Sequence, residues 1–267
     1  MTMLLKKHET VDLEMLDDGA IAIVRLNRPS AMNALNMQLA DDFMAVLDKL
    51  AALDGLRAVI IAGNGKAFCA GGDLAAFKAS HAPGQFLTEL ATRFHESIKR
   101  IRMIDAPFVA AIHGPCMGVG LSLACACDFR IAADAAKFSV AFTGVGLSPD
   151  SGLPFFLPRI VGQAMATELA FLNPVIDAKR AHEINLVNAI TSGDVMKEAT
   201  DLARKLALMP TKAIGAVKRL YDSAFMDPLE THLAKEARSV GDTAATADFK
   251  EGCAAFFEKR KPSFKGM

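Results

Sequence analysis

The chain has 267 residues, 52% of them hydrophobic, with 30 basic and 30 acidic residues and a formal net charge of zero. That length is enough to bury a large core, and the apolar content excludes disorder. Zero net charge, no Trp and one Tyr exclude nucleic-acid binding through a broad electrostatic field or a stacking surface.

In chain order, Ala20 to Leu26 alternates small and β-branched residues and reads as a strand, stopped by Asn27-Arg28-Pro29. Asn36 is the expected N-cap of a helix that carries Leu39, Phe43, Val46, Leu47 and Leu50 at helical spacing. Residues 58–62, Ala-Val-Ile-Ile-Ala, predict a buried strand. A Gly63-Asn64-Gly65 turn and the stretch Ala67-Phe68-Cys69-Ala70-Gly71-Gly72-Asp73-Leu74 follow it. The small residues of that stretch let a ligand come close to the main chain. Asp73 suits the N-cap of a short helix beginning at Leu74, whose first N–H groups are free donors. Lys78 to Gln85, with Pro83-Gly84, reads as a mobile loop, and Phe86 to Ile104 as a long amphipathic helix ended by Ala106-Pro107.

A second unit of the same kind comes next. Phe108 to Ile112 predicts a strand, and Gly118-Val119-Gly120-Leu121-Ser122 opens an apolar helix to Cys127. Two Gly-rich strand-to-helix turns can set two main-chain N–H groups around one oxygen, the geometry of an oxyanion hole. Phe129 to Ala132 and Lys137 to Val140 read as short strands, and Thr143 to Pro158 as irregular, with Asp150 in its middle. Helices are expected over Ile160 to Asn173 and Asp177 to Glu183, and a last strand over Leu186 to Ile190. Beyond Ser192 the pattern is helical to Arg260, broken at Met209-Pro210 and Asp227-Pro228. Strands and helices alternate to about Ile190, which predicts an α/β fold with a mostly parallel sheet. Residues 1–191 are expected to form that core, and residues 192–267 a helical region packed on it or on another subunit.

No apolar run approaches the roughly 18–20 residues needed to span a bilayer, and residues 1–12 show no apolar signal-peptide core. The five cysteines fall in no CxxC or Cys/His ligand spacing, so neither a disulfide scaffold nor a metal site is expected, and a reducing, cytoplasmic setting is. No phosphate-cradling or dinucleotide fingerprint appears.

Five stretches, in order, resemble the crotonase superfamily, the enoyl-CoA hydratase/isomerase family. They are Asn27 to Leu35 (NRPSAMNAL), Gly65 to Leu74 (GKAFCAGGDL), Pro107 to Ala132, Gly146 to Gly162 and Glu251 to Phe264. The resemblance implies a spiral core of repeated ββα units and a helical C-terminal region that trimerises, often as a dimer of trimers. It implies an acyl-CoA thioester substrate and no cofactor beyond that CoA. By motif position, the N–H groups of Gly72 and Val119 would hold the thioester oxygen. Ala70, Asp73 and Leu74 would flank the CoA path, and Phe256 and Lys259 would touch CoA across a subunit boundary.

The departures from the family pattern bear on which reaction is run. Family hydratases activate water with two glutamates. The matching positions here are Ser122 and Phe142, neither of which is a general base near neutral pH. Asp150 is the carboxylate left at a matching position, and relatives with an Asp there include isomerases of phenylacetate-type pathways. One carboxylate suits a 1,3-proton shift, with Phe142, Val119 and Leu147 as an apolar wall. His95, on the long helix, is expected to line the acyl pocket; chlorobenzoyl-CoA dehalogenases place a His there, but they also use a Trp where this chain has Phe142. The favoured expectation is an enoyl-CoA isomerase with Asp150 as its sole acid/base. A hydratase with an unusual acid/base set and a non-catalytic acyl-CoA-binding homologue stay open.

Overall fold

The computed structural model describes residues 3–4 and 8–267, with side chains from His8 onward. The expectation of no leader segment falls in part on residues 1, 2 and 5–7, outside the described residues.

The chain begins with β1 (Met3–Leu4) and β2 (Val11–Leu16), an antiparallel pair that continues antiparallel onto β3 (Ile21–Leu26). In β2, Val11, Leu13 and Met15 point inward and alternate with Asp12, Glu14 and Leu16. This two-residue period marks a half-buried strand; sequence reading missed it because acidic residues fill the alternate positions. Helix α1 (Met37–Ala51) starts where Asn36 accepts the Leu39 N–H at 2.9 Å, so the expected cap is the observed one. Its apolar stripe lies against α3 and the sheet.

Strand β4 (Ala58–Gly63) lies at the centre, parallel to β3 on one side and to β5 (Phe108–Ile112) on the other. Between them lie α2 (Leu74–Ala79) and α3 (Pro83–Met103). The expected loop over Lys78 to Gln85 shrinks to residues 80–82. Pro83 and Gly84 form the first turn of α3 instead, because a proline in the first turn loses no helical hydrogen bond. After β5 come β6 (Pro115–Met117), α4 (Val119–Ala126), β7 (Phe129–Ala133) and β8 (Lys137–Ser139). The stretch expected to be irregular ends at Gly152: α5 (Leu153–Val161) has Pro154 in its first turn and accommodates Pro158. Gly162, at φ 81°, then separates α5 from α6 (Gln163–Leu172), so the one helix expected over Ile160 to Asn173 is two.

The chain continues through β9 (Ile176–Asp177), α7 (Ala178–Glu183), β10 (Ala189–Thr191), α8 (Val195–Ala207), α9 (Thr211–Ser223), α10 (Leu229–Ala244) and α11 (Ala247–Phe257). The main sheet has the order β1-β2-β3-β4-β5-β7-β10, parallel from β3 onward, and β6-β8-β9 form a second, small sheet.

Both faces of the parallel strands are covered, as such strands require. Val59, Ile61, Phe108, Ala110 and Ile112 pack in the core that holds α1, α3 and α4. Ile21, Ile23, Ala58, Ile60, Val109 and Ala111 pack on Val195, Ala199 and Ala203 of α8. Helix α8 therefore covers one face of the main sheet.

Candidate active site

The two Gly-rich turns meet. The loop after β4 is laced to the loop after β5: the Cys69 N–H donates to the Pro115 carbonyl at 3.1 Å, and the Met117 N–H donates to the Cys69 carbonyl at 2.9 Å. On its other side the same loop is tied to residues 32–35. The Ala70 N–H reaches the Met32 carbonyl (3.0 Å), the Leu35 N–H the Gly71 carbonyl (2.8 Å) and the Asp73 N–H the Leu35 carbonyl (2.9 Å). Asn33 anchors that segment from the interior. Fully buried at φ 58°, it donates to the carbonyls of Asn64, Ala67 and Phe68 and accepts the Arg28 N–H.

The lacing leaves two donors free. Among the described residues no acceptor takes the N–H of Gly72 or that of Val119. The latter belongs to the first turn of α4, whose N–H groups have no helical partner. Close approach depends on glycine here. Gly71 (φ 113°) and Gly118 (φ 53°) take conformations that side chains resist.

Both donors open on a cavity of ≈ 290 Å³. Its walls are largely apolar: Phe77, Leu87, Leu90, Val119, Phe142, Val145 and Leu147. Ala70 and Leu74 lie on the wall, and Asp150 is its one titratable side chain. The Oδ1 of Asp150 is buried without a hydrogen-bond partner. Burial pushes the Asp150 carboxyl above its ordinary value.

The remaining expected residues divide. The Asp73 side chain is not on the cavity wall; it caps α2 by accepting the Ala76 N–H at 3.2 Å and pairs with Arg28 at 3.0 Å. His95 is likewise off the wall, behind Asp150, where its Nε2 accepts the Ser151 N–H at 3.2 Å. As an acceptor at Nε2, the imidazole carries its proton on Nδ1. Ser122 is fully buried and turned away from the cavity. Its hydroxyl donates to the Asp150 carbonyl at 3.0 Å, with the Gly118 carbonyl 3.3 Å away. Phe256 and Lys259 are exposed at the end of α11, apart from the cavity within this chain. Sequence reading missed Phe77, whose ring would sit 2.4 Å from a Cβ on Gly72; the GGDL motif with an aromatic five residues beyond Gly72 was the available signal. Among the described residues no group of three or more His, Cys, Asp or Glu is placed to hold a metal, and no helix is long and apolar enough to cross a membrane.

Residues 17–267 match the model of the enoyl-CoA hydratase/isomerase family. A protein of Rhodobacter capsulatus named "Probable enoyl-CoA hydratase" is 38% identical over 92% of this chain and 95% of its own length. The 1,2-epoxyphenylacetyl-CoA isomerase of Escherichia coli is 33% identical over 95% and 98%. In the crystal structure of an enoyl-CoA hydratase from Bacillus anthracis, the same fold superposes with a TM-score of 0.90 at 29% identity, covering 97% of this chain and all of that one.

Proposed function

The chain belongs to the enoyl-CoA hydratase/isomerase family, and from that premise we propose that it is an isomerase that moves the double bond of an enoyl-CoA. The observation that carries this reading is that Asp150 is the one carboxylate on the cavity wall. Ser122 is buried and engaged with main-chain carbonyls, and Phe142 is apolar. A second group able to hold and activate water is therefore missing from the two places where the resemblance puts one.

In this reading the thioester oxygen lies between the N–H groups of Gly72 and Val119. Asp150 takes a proton from the carbon next to the thioester. The electron pair left behind delocalises onto the thioester oxygen and across the neighbouring double bond as a dienolate. Asp150 then returns the proton two carbons further along, so the double bond moves and no atom is gained or lost. Each oxyanion donor contributes about 2.7–4 kcal/mol to such a step. A carboxylate raised by burial is a stronger base than one in water, and the apolar wall keeps water from the dienolate.

A second reading, hydration, is favoured by the names of several relatives, the Rhodobacter capsulatus protein among them. One experiment separates the two. The protein is incubated with a 3-enoyl-CoA and, separately, with crotonyl-CoA, and the products are followed by absorbance and mass. A conjugated product of unchanged mass supports isomerisation, while addition of one water to crotonyl-CoA overturns it in favour of hydration. Substrate binding without turnover of either supports an acyl-CoA-binding role.

The exposed apolar side chains of α9 to α11, including Tyr221, Phe225, Leu229, Phe256 and Phe257, support assembly as a homotrimer or a dimer of trimers through this region. The same assembly would bring a neighbour's Phe256 and Lys259 to the CoA path. Sedimentation of the full chain tests it.

A further inference from the structure

The peptide group joining Asp150 to Ser151 is gripped at both ends. Its carbonyl oxygen accepts the Ser122 hydroxyl at 3.0 Å, from α4, and its N–H donates to His95 Nε2 at 3.2 Å, from α3. The residue that follows is under strain. Ser151 is almost fully buried and holds φ at 52°, a left-handed conformation that a side-chain-bearing residue keeps only where its surroundings impose it. Along the chain, the Asp150 carbonyl also accepts the Leu153 N–H at 3.0 Å, closing the turn Asp150–Leu153. Residues 143–149 carry no charged side chain, and Gly152 is itself left-handed at φ 80°.

We propose that His95 and Ser122 are positioning residues: together they fix the plane of the 150–151 peptide and so aim the Asp150 carboxylate into the cavity. The inference rests on Asp150 being the acid/base of the reaction. The helices α3 and α4 each supply one side chain. The orientation of Asp150 is then set by side chains of α3 and α4 acting on its turn rather than by that turn alone. With the peptide plane fixed, Asp150 Oδ1 faces the interior, where it is buried without a partner. Its Oδ2 is left as the oxygen that exchanges protons with substrate. A free peptide would rotate and carry both oxygens with it, and a misplacement of about 1 Å at a reacting centre costs up to ~100-fold in rate.

The reading also accounts for what stands where family hydratases carry a glutamate. Ser122 is too short and too buried to reach the cavity, and its hydroxyl serves the main chain of the residue that does the chemistry.

The test compares His95→Leu, His95→Gln, Ser122→Ala and the His95→Leu/Ser122→Ala double variant with Asp150→Asn, on the enoyl-CoA that the wild-type protein converts. Leu removes the acceptor at similar bulk, and Gln restores an acceptor of similar reach. The expected result is a fall in kcat of roughly tenfold to a hundredfold in His95→Leu and Ser122→Ala with KM within about twofold, and recovery of most of the loss in His95→Gln. The double variant should lose little more than either single one, because both side chains act on the same peptide plane. Losses that multiply in the double variant, a Gln variant as impaired as Leu, or unchanged kcat in the single variants would each overturn the proposal. If Asp150→Asn keeps full activity, the assignment of Asp150 fails first, and the two failures are told apart. A measurement free of turnover uses the Asp150 carboxylate infrared band, isolated as the difference between wild type and Asp150→Asn. The band is expected to shift in His95→Leu and Ser122→Ala and to stay in place in His95→Gln. An unmoved band in the first two overturns the proposal even where folding is intact.

Discussion

Cys69 and Cys116 are bridge partners across the two loops of the site, and their rung sets the spacing of the Gly72 and Val119 donors. The rung is tight because α4 presses on it. A Cβ on Gly120 would lie 2.4 Å from the Cys69 carbonyl oxygen and 2.7 Å from the Cys69 Cβ. The first of these is a main-chain atom that no rotamer change moves aside.

Gly120→Ala is therefore expected to cost about 1–3 kcal/mol of stability through overpacking. It should also lower kcat/KM by widening the gap between the two donors. Gly241→Ala is the control: nothing lies within 4 Å of its added Cβ, in the last turn of α10, and it is expected to gain about 0.4–1 kcal/mol. Urea denaturation of both variants beside activity checks the contrast. Equal stability of the two would remove the argument from packing.

Asp150 illustrates a conflict between stability and chemistry. Burial raises its carboxyl in the folded state, so the folded protein binds that proton more tightly than the unfolded chain does. Between the ordinary carboxylate value and the raised one, stability falls as pH rises, and above both the full cost of the buried charge is present. Asp150→Asn is expected to abolish turnover while CoA-ester binding survives, and to melt above wild type at neutral pH. That difference should shrink as pH falls through the carboxyl's own titration. Melting curves across pH read it directly, and a variant less stable than wild type at neutral pH would contradict the sign.

Much of this was legible in the sequence because it is local. Asn36 and Asp73 cap helices where short polar side chains precede apolar periodicity. The β-branched runs of β4 and β5 are the central strands, and the paired Gly-rich turns point to two free N–H groups. What was not legible depends on contacts between distant segments. The His95 ring reaches the Ser151 N–H across 56 residues, which nothing in its helix announces. Ser122 reads as a lost acid/base group, and its actual partner is a carbonyl 28 residues away. The packing of Ala199 and Ala203 of helix α8 on the main sheet is likewise a contact between distant segments.

The cysteines give a prediction about reactivity. Burial pushes the Cys69 thiol up to about 11, that of Cys125 to about 11 and that of Cys127 to about 12, and raises Cys116 well above its usual value. The thiolate is the reacting species, and these four are closed to solvent. Only Cys253, on α11, is partly open. Alkylation of the native protein is expected to add at most one group per chain, at Cys253, and all five after denaturation. Peptide mass mapping locates the label; modification of Cys69 in folded protein would mean that the site loops separate in solution.

Lys218 makes the strongest prediction about what holds α9 in place. It is 4% exposed, and its Nζ donates to the carbonyls of Ile101, Ile104 and Ala106 at 3.0–3.1 Å while pairing with Asp128 at 3.1 Å. Those carbonyls lie at the end of α3 and just beyond it, where main-chain oxygens lack helical donors, and a cation there also meets the negative end of the helix dipole. Asp128 keeps Arg102 at 2.8 Å and the Phe108 N–H at 2.8 Å, so losing Lys218 leaves its charge partly satisfied but strands three buried carbonyls. Lys218→Met, which keeps the length and drops the charge, is expected to cost about 3–5 kcal/mol, the range for breaking a buried ion pair. Lys212 on the same helix pairs with Asp105 at 3.1 Å in the open, and Lys212→Met is expected to cost about 0–1 kcal/mol. Urea midpoints of the two variants decide the matter. A Lys218→Met variant within 1 kcal/mol of wild type would show that the packing of α9, rather than its buried ammonium, ties it to the core.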